Sequence, residues 1–346
     1  LSAGAPAFAC LGAGYAAVRL LRAPQRLADL LVAFVVRVGA PVLLFRGMLS
    51  LDLGQAFHAG MLTSFYAGAA FGFAAGFALA RALGRPPDEA VAIGFGGQFS
   101  NTVLLGVPIM VGAYGEAATL PMFAIIALHA PTLYLLGIGA MELARAGAAG
   151  GGLARALARA ARDVARNALM IGIALGLVCN LLEAAPPDAV GSVIDAVALA
   201  TLPAGLLAVG AALARYQLQR EIWVALMITA LSLVAHPGVA YLIGTGVFDL
   251  AAPELRAAVL TAAMPAGLNV FVFASMYRVG QGAAASAVLL STLVSFLTIS
   301  AWLAVLGGPD ADGGQPAAGA AASPPVAGVA ALSLEAWAGT TPAAAS

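Results

Sequence analysis

Ten apolar stretches of roughly 20 residues, divided by short polar breaks, constrain this chain more than any single motif. They run at about 2–19, 27–49, 59–81, 89–113, 117–141, 164–183, 189–213, 221–247, 255–278 and 282–306. A helix needs about that length to cross the hydrocarbon core of a bilayer. Helices and closed barrels alone satisfy their backbone polar groups in that medium. Of the 346 residues, 62% are apolar and 9% charged, against about 25% charged in a soluble domain. A soluble ten-helix protein needs a polar face on nearly every helix, and the charges for one are missing. The expected fold is an all-α polytopic membrane protein.

Every basic residue is Arg, and the arginines alternate. Breaks after odd-numbered spans hold Arg19, Arg22 and Arg26; Arg81 and Arg85; Arg145, Arg155, Arg159, Arg162 and Arg166; Arg215 and Arg220; and Arg278. The opposite side has only Arg46 and Arg256, with Arg37 left inside span two. Positive charge stays on the cytoplasmic side. Both termini are therefore expected outside the cytoplasm, in a bacterial inner membrane. Net charge is zero, which points to no nucleic-acid partner. Cys10 and Cys179 both sit in apolar stretches and read as small core residues, so neither a disulfide nor a metal site is expected.

The connection at 142–163 carries a Gly-rich hinge at 147–152 and divides the chain five spans against five. An odd number per half requires the second half to insert upside down. The expected organisation is a first five-helix repeat at 1–141, a cytoplasmic linker at 142–163, a second, inverted repeat at 164–306 and a disordered tail at 307–346. Ala40-Pro41-Val-Leu-Leu44 in span two echoes Leu202-Pro203-Ala-Gly-Leu206 in span seven.

Spans four and nine both carry breakers and polar groups near their middle. The first reads Gln98-Phe-Ser100-Asn101-Thr102 and continues to Gly106-Val-Pro108; the second reads Met264-Pro265-Ala-Gly267-Leu-Asn269. Pro deletes a backbone donor and Gly weakens a helix. A broken helix at membrane depth is tolerated where it lines a polar cavity, and paired interruptions in inverted repeats point to a transporter's binding site. Two half-helix N-termini there favour an anion. The plainer alternative is a pair of proline kinks healed by neighbouring helices, with Asn as interhelical glue.

The stretch Asn101-Thr-Val-Leu-Leu-Gly106-Val-Pro108-Ile-Met-Val-Gly-Ala-Tyr-Gly115 resembles span four of the auxin efflux carrier family. Met264-Pro265-Ala-Gly-Leu-Asn269-Val-Phe-Val-Phe-Ala-Ser-Met-Tyr277 and Ser291-Thr-Leu-Val-Ser295 resemble its spans nine and ten, and the likeness runs over about 1–306. The resemblance implies ten helices in two inverted repeats, with broken helices four and nine crossing at Pro108 and Pro265. It also implies that Asn101 and Asn269 face a substrate carboxylate, malonate or an auxin-like acid, carried by an elevator motion.

Other polar groups join the candidate site. Gln98, Ser100 and Gly267 flank the breaks. Arg37 suits an anion, although it can also snorkel to the interface. His129 and His236 each precede a proline inside a span, and either can relay protons or bond a carbonyl that the proline frees. Asp195 reads as interfacial. No carboxylate stands deep in a span, so coupling to a proton or sodium ion and uniport all stay open. No zinc-protease or serine-hydrolase motif occurs, and an enzyme is not expected. The expected partners are a small organic anion, lipid and a second copy of the chain, with no cofactor. An anion channel is the alternative function, and an intramembrane enzyme a more distant one.

Overall fold

The computed structural model describes residues 5–22, 24–52, 57–145, 158, 161–162, 165–214 and 222–307. Within them, helices α1 (Ala5–Arg19), α2 (Arg26–Leu49), α3 (Ala59–Ala82), α4a (Pro87–Gln98), α4b (Thr102–Tyr114) and α5 (Thr119–Arg145) follow in order. They are succeeded by α6 (Ala168–Leu181), α7 (Asp188–Leu213), α8 (Ile222–Gly246), α9a (Ala252–Ala262), α9b (Leu268–Tyr277) and α10 (Gln281–Leu306). The hinge at 147–152, residues 308–346 of the expected tail, and Arg155, Arg159, Arg215 and Arg220 lie outside the described residues.

Among the described residues, six helices are long and apolar enough to cross a membrane: α2, α3, α7, α8, α10 and the segment Glu116–Arg145 that contains α5. The chain is thus a multi-pass membrane protein by length and composition. The remaining helices are shorter, α1 with 15 residues and α6 with 14. Fourteen residues rise only about 21 Å, less than the hydrocarbon thickness of about 30 Å.

Three helices widen into a π-turn, at Val35–Gly39, Thr102–Gly106 and Leu231–Ala235. Each turn ends two residues before a proline, at Pro41, Pro108 and Pro237. A proline ring collides with the carbonyl four residues back and leaves it without a donor. An extra residue in that turn moves the carbonyl aside. In α8 the carbonyl in question belongs to Leu233, and the indole Nε1 of Trp302 donates to it at 3.0 Å. Pro131 and Pro203 are accommodated in α5 and α7 without such a turn.

The helices pack in two sets. α1 lies on α7, and α2 lies on α6 and α7. The other set is built on α3 with α4a, α8 and α9a, on α5 with α4a and α9a, and on α10 with α8 and α9b. The first set meets the second mainly through α4b and α5. Glycine brings backbones together within the first set. A Cβ on Gly14 in α1 would lie 2.2 Å from the Leu207 carbonyl oxygen in α7, and one on Gly176 in α6 would lie 2.5 Å from that of Phe45 in α2. Gly14 and Gly176 are 162 residues apart, and so are Phe45 and Leu207. The same close approach therefore occurs twice. In bilayers, where apolar burial drives no helix association, such small-residue contacts gain dispersion energy instead.

Candidate functional site

The site begins where α4 and α9 stop being helices. α4a ends at Gln98, and Phe99 turns extended with φ −95° and ψ 97°. α9a ends at Ala262, and the chain becomes extended again at Gly267, with φ −73° and ψ 161°. The two interruptions run antiparallel and bond to each other. Asn101 N–H donates to the Pro265 carbonyl at 2.8 Å, and Gly267 N–H donates to that of Phe99 at 2.9 Å. Ser100 and Ala266 form the bridge between them. The two bonds are related by a shift of 166 residues, from 101 to 267 and from 99 to 265.

Hydroxyls on neighbouring segments satisfy other backbone groups that the breaks release. Ser291 Oγ on α10 accepts from Ala266 N–H at 3.1 Å, and Ser232 Oγ on α8 donates to the Met264 carbonyl at 3.3 Å. Ser100 Oγ donates to the Ala262 carbonyl at 3.3 Å. Backbone groups released by a break inside a membrane need such partners. The crossing is therefore at Ser100 and Ala266. Pro265 belongs to it through its carbonyl, but Pro108 does not: it lies in the α-helical part of α4b, where the preceding π-turn accommodates it.

α4b and α9b start from this crossing and open on one cavity of about 160 Å³. Ser100, Asn101, Gly267, Asn269 and His129 all line it, so five of the residues singled out by sequence come together. Thr102 and Asn167 line it too. The far wall comes from the first helix set, with Val36 and Leu44 of α2 and Leu169, Met170 and Ile173 of α6. The cavity thus lies between the two sets. Among the described residues, no Asp, Glu, Lys or Arg lines it.

Asn101 precedes α4b and Asn269 is the second residue of α9b. Asn101 makes no capping bond from its side chain, and among the described residues neither amide has a partner in the protein. Asn167 differs, because its side chain caps α6 by accepting from Leu169 N–H at 2.9 Å. That leaves its NH₂ free to donate. His129 is 3% exposed, and neither ring nitrogen has a hydrogen-bond partner. The Ser100 backbone approaches the ring, but outside hydrogen-bonding geometry.

The other sequence candidates stand apart from the cavity. Gln98 is fully buried and reaches the Leu133 carbonyl at 3.4 Å. Arg37 is exposed in the π-turn of α2. His236 bonds the Phe65 carbonyl at 3.3 Å rather than one freed by Pro237. Arg46, read from sequence as a loop cation, lies in the last turn of α2. It pairs with Asp195 of α7 at 2.5 Å and with Glu116 just before α5. This triad joins the two helix sets. Arg256 is 8% exposed beneath Tyr114, 4.7 Å from the ring centroid, and its Nε faces the Leu306 carbonyl at the end of α10.

Asn167 and Thr102 were not anticipated as lining groups. Thr102 was visible beside Asn101. Asn167 falls inside the sixth apolar stretch, 164–183, where nothing in the sequence marks it; in the structure it caps α6 and lines the cavity.

Comparison with known proteins gives the family of the chain. The profile of the family described as membrane transport protein matches residues 4–150 and 155–303. A protein of Rhizobium meliloti (strain 1021), described as "Putative malonate transporter", is 28% identical over 304 residues, covering 86% of this chain and 93% of its own. With the family profile matched over nearly all of the helical region, the chain belongs to the membrane transport protein family, the auxin efflux carrier type, and is a transporter rather than an enzyme.

Proposed function

We propose that the protein is a secondary carrier for small carboxylates, malonate among them, working by alternating access in a bacterial inner membrane. The observation that carries this reading is the shared cavity. Two half-helices begin at its wall, and among the described residues two unpartnered asparagine amides line it and no acidic side chain opposes an anion there. Each helix N-terminus carries a partial positive charge of about half a unit, and carboxylate oxygens fit the amide NH₂ donors of Asn101 and Asn269. Malonate enters the proposal through the name of the Rhizobium relative.

The two repeated geometries, shifted by 162 and 166 residues, support a pair of inverted five-helix repeats. The division into α1, α2, α6 and α7 against the remaining helices supports an elevator motion. In that motion the second set carries the crossing and its ligand past the first. Asn167 is exposed at the cavity, next to the arginine-rich linker that the orientation rule assigns to the cytoplasm. The conformation is accordingly read as inward-open, with the Arg46–Asp195–Glu116 triad closing the outer side.

The test is uptake of labelled malonate by proteoliposomes containing the purified protein. Uptake is expected to saturate with concentration and to be competed by other small mono- and dicarboxylates. Folded protein that moves none of these acids overturns the carboxylate assignment.

A further inference from the structure

Among the described residues, none that lines the cavity carries a permanent positive charge. Its polar side chains are Ser100, Asn101, Thr102, His129, Asn167 and Asn269. Moving a carboxylate from water into a poorly solvating site costs several kcal/mol unless charge or hydrogen bonds compensate. Helix N-termini and neutral amides supply part of that compensation, and a full counter-charge requires a titratable group. Among the described residues His129 is the only such group in the lining, and imidazole is the side chain whose charge changes most readily.

The surroundings of His129 leave it waiting for a partner. The ring stands edge-on to Phe99 of the broken α4, centroids 4.6 Å apart, with Phe65 of α3 at 5.7 Å. Beyond Phe65 lies His236 of α8, whose Nε2 is committed to the Phe65 carbonyl. On α3, the Tyr66 hydroxyl donates to the Ile125 carbonyl. Tyr134, on α5 itself, lies against Phe99. α9 contributes Gly267 and Asn269 to the cavity, and among the described residues neither α2 nor α6 contributes a titratable side chain. Among the described residues, no carboxylate lines the cavity to stabilise an imidazolium. A bound carboxylate supplies the missing negative charge.

We propose that His129 is the proton-carrying residue of this carrier, and that each carboxylate binds together with one proton held on its imidazole. This rests on the cavity being the carboxylate site. The proton comes from water on the side where the anion enters and leaves with it on the other side, so nothing is oxidised or reduced. Because the two ligands favour each other, each must raise the affinity for the other by the same factor.

Malonate binding to detergent-solubilised wild-type protein tests the linkage. Binding is expected to take up protons from a weakly buffered solution. Affinity should fall as the pH rises, by up to about tenfold per pH unit, the limit for one linked proton. In His129→Gln, which keeps a hydrogen-bonding side chain without the titration, weaker binding with no proton uptake and a flat pH profile is expected. In proteoliposomes, a pH gradient acid on the entry side should drive malonate accumulation by wild type and not by the variant. Wild-type binding that is independent of pH and releases or takes up no proton overturns the proposal even if the variant does not fold. Proton uptake undiminished in His129→Gln overturns it as well. No malonate binding at any pH instead removes the carboxylate reading on which the proposal depends.

Discussion

Replacing Asn101 or Asn269 with alanine is expected to weaken malonate binding by about tenfold to a hundredfold each. The estimate follows from the loss of one hydrogen bond to a charged group, about 1.5–3 kcal/mol. The effect should fall on the ligand more than on the fold. Asn101 stands at the start of α4b without capping it, and among the described residues neither amide has a protein partner to lose. The backbone bonds that hold the crossing, Asn101 N–H to Pro265 and Gly267 N–H to Phe99, do not involve the side chains. Transport of subsaturating labelled malonate by each variant, with the elution profile and melting temperature of the purified protein, checks both halves of this expectation. Wild-type uptake by both variants removes the two asparagines from the site.

Gly210→Ala is expected to have its large effect on the fold instead. A Cβ there would lie 2.0 Å from the Leu11 carbonyl oxygen and 2.9 Å from the Tyr15 nitrogen, both backbone atoms of α1. Backbone cannot swing aside as a side chain can, so α1 and α7 must separate along their whole contact. Overpacking of this kind costs about 1–3 kcal/mol or more. That outweighs the gain of about 1 kcal/mol from removing a helical glycine. Gly238→Ala in α8 is the matched control, because nothing lies within 4 Å of its added Cβ. Melting in detergent should drop for Gly210→Ala and hold or rise for Gly238→Ala. Equal melting temperatures contradict the close packing of α1 on α7.

The helices were legible in the sequence because the bilayer imposes length and apolarity on each of them, and the observed boundaries of α2, α3 and α7 follow the apolar stretches within a few residues. The breaks were legible because Gly, Pro and Asn concentrate in spans four and nine. Their mutual bonding was not, since an antiparallel contact between residues 166 apart leaves no periodic trace. Pro108 shows the difficulty. A proline marks trouble in a helix, yet here a π-turn absorbs it and the actual break lies further back, at Phe99 to Asn101. Arg46 shows another: a lone arginine between apolar stretches resembles a loop residue, and its ion pairs with Asp195 and Glu116 become visible only after folding.

Cysteine labelling at the cavity tests the central claim most directly. Val103 lines the cavity, so Val103→Cys in a Cys10→Ser, Cys179→Ser background places a single thiol beside the crossing. With malonate transport by this variant established, its reaction with a membrane-impermeant maleimide is followed from each side of sealed vesicles. The account predicts labelling from the cytoplasmic side at rest, slowed several-fold by saturating malonate, with labelling from the outside appearing only while the carrier turns over. Labelling at a rate that malonate does not change, or equal labelling from both sides at rest, contradicts a substrate site that opens to one side at a time.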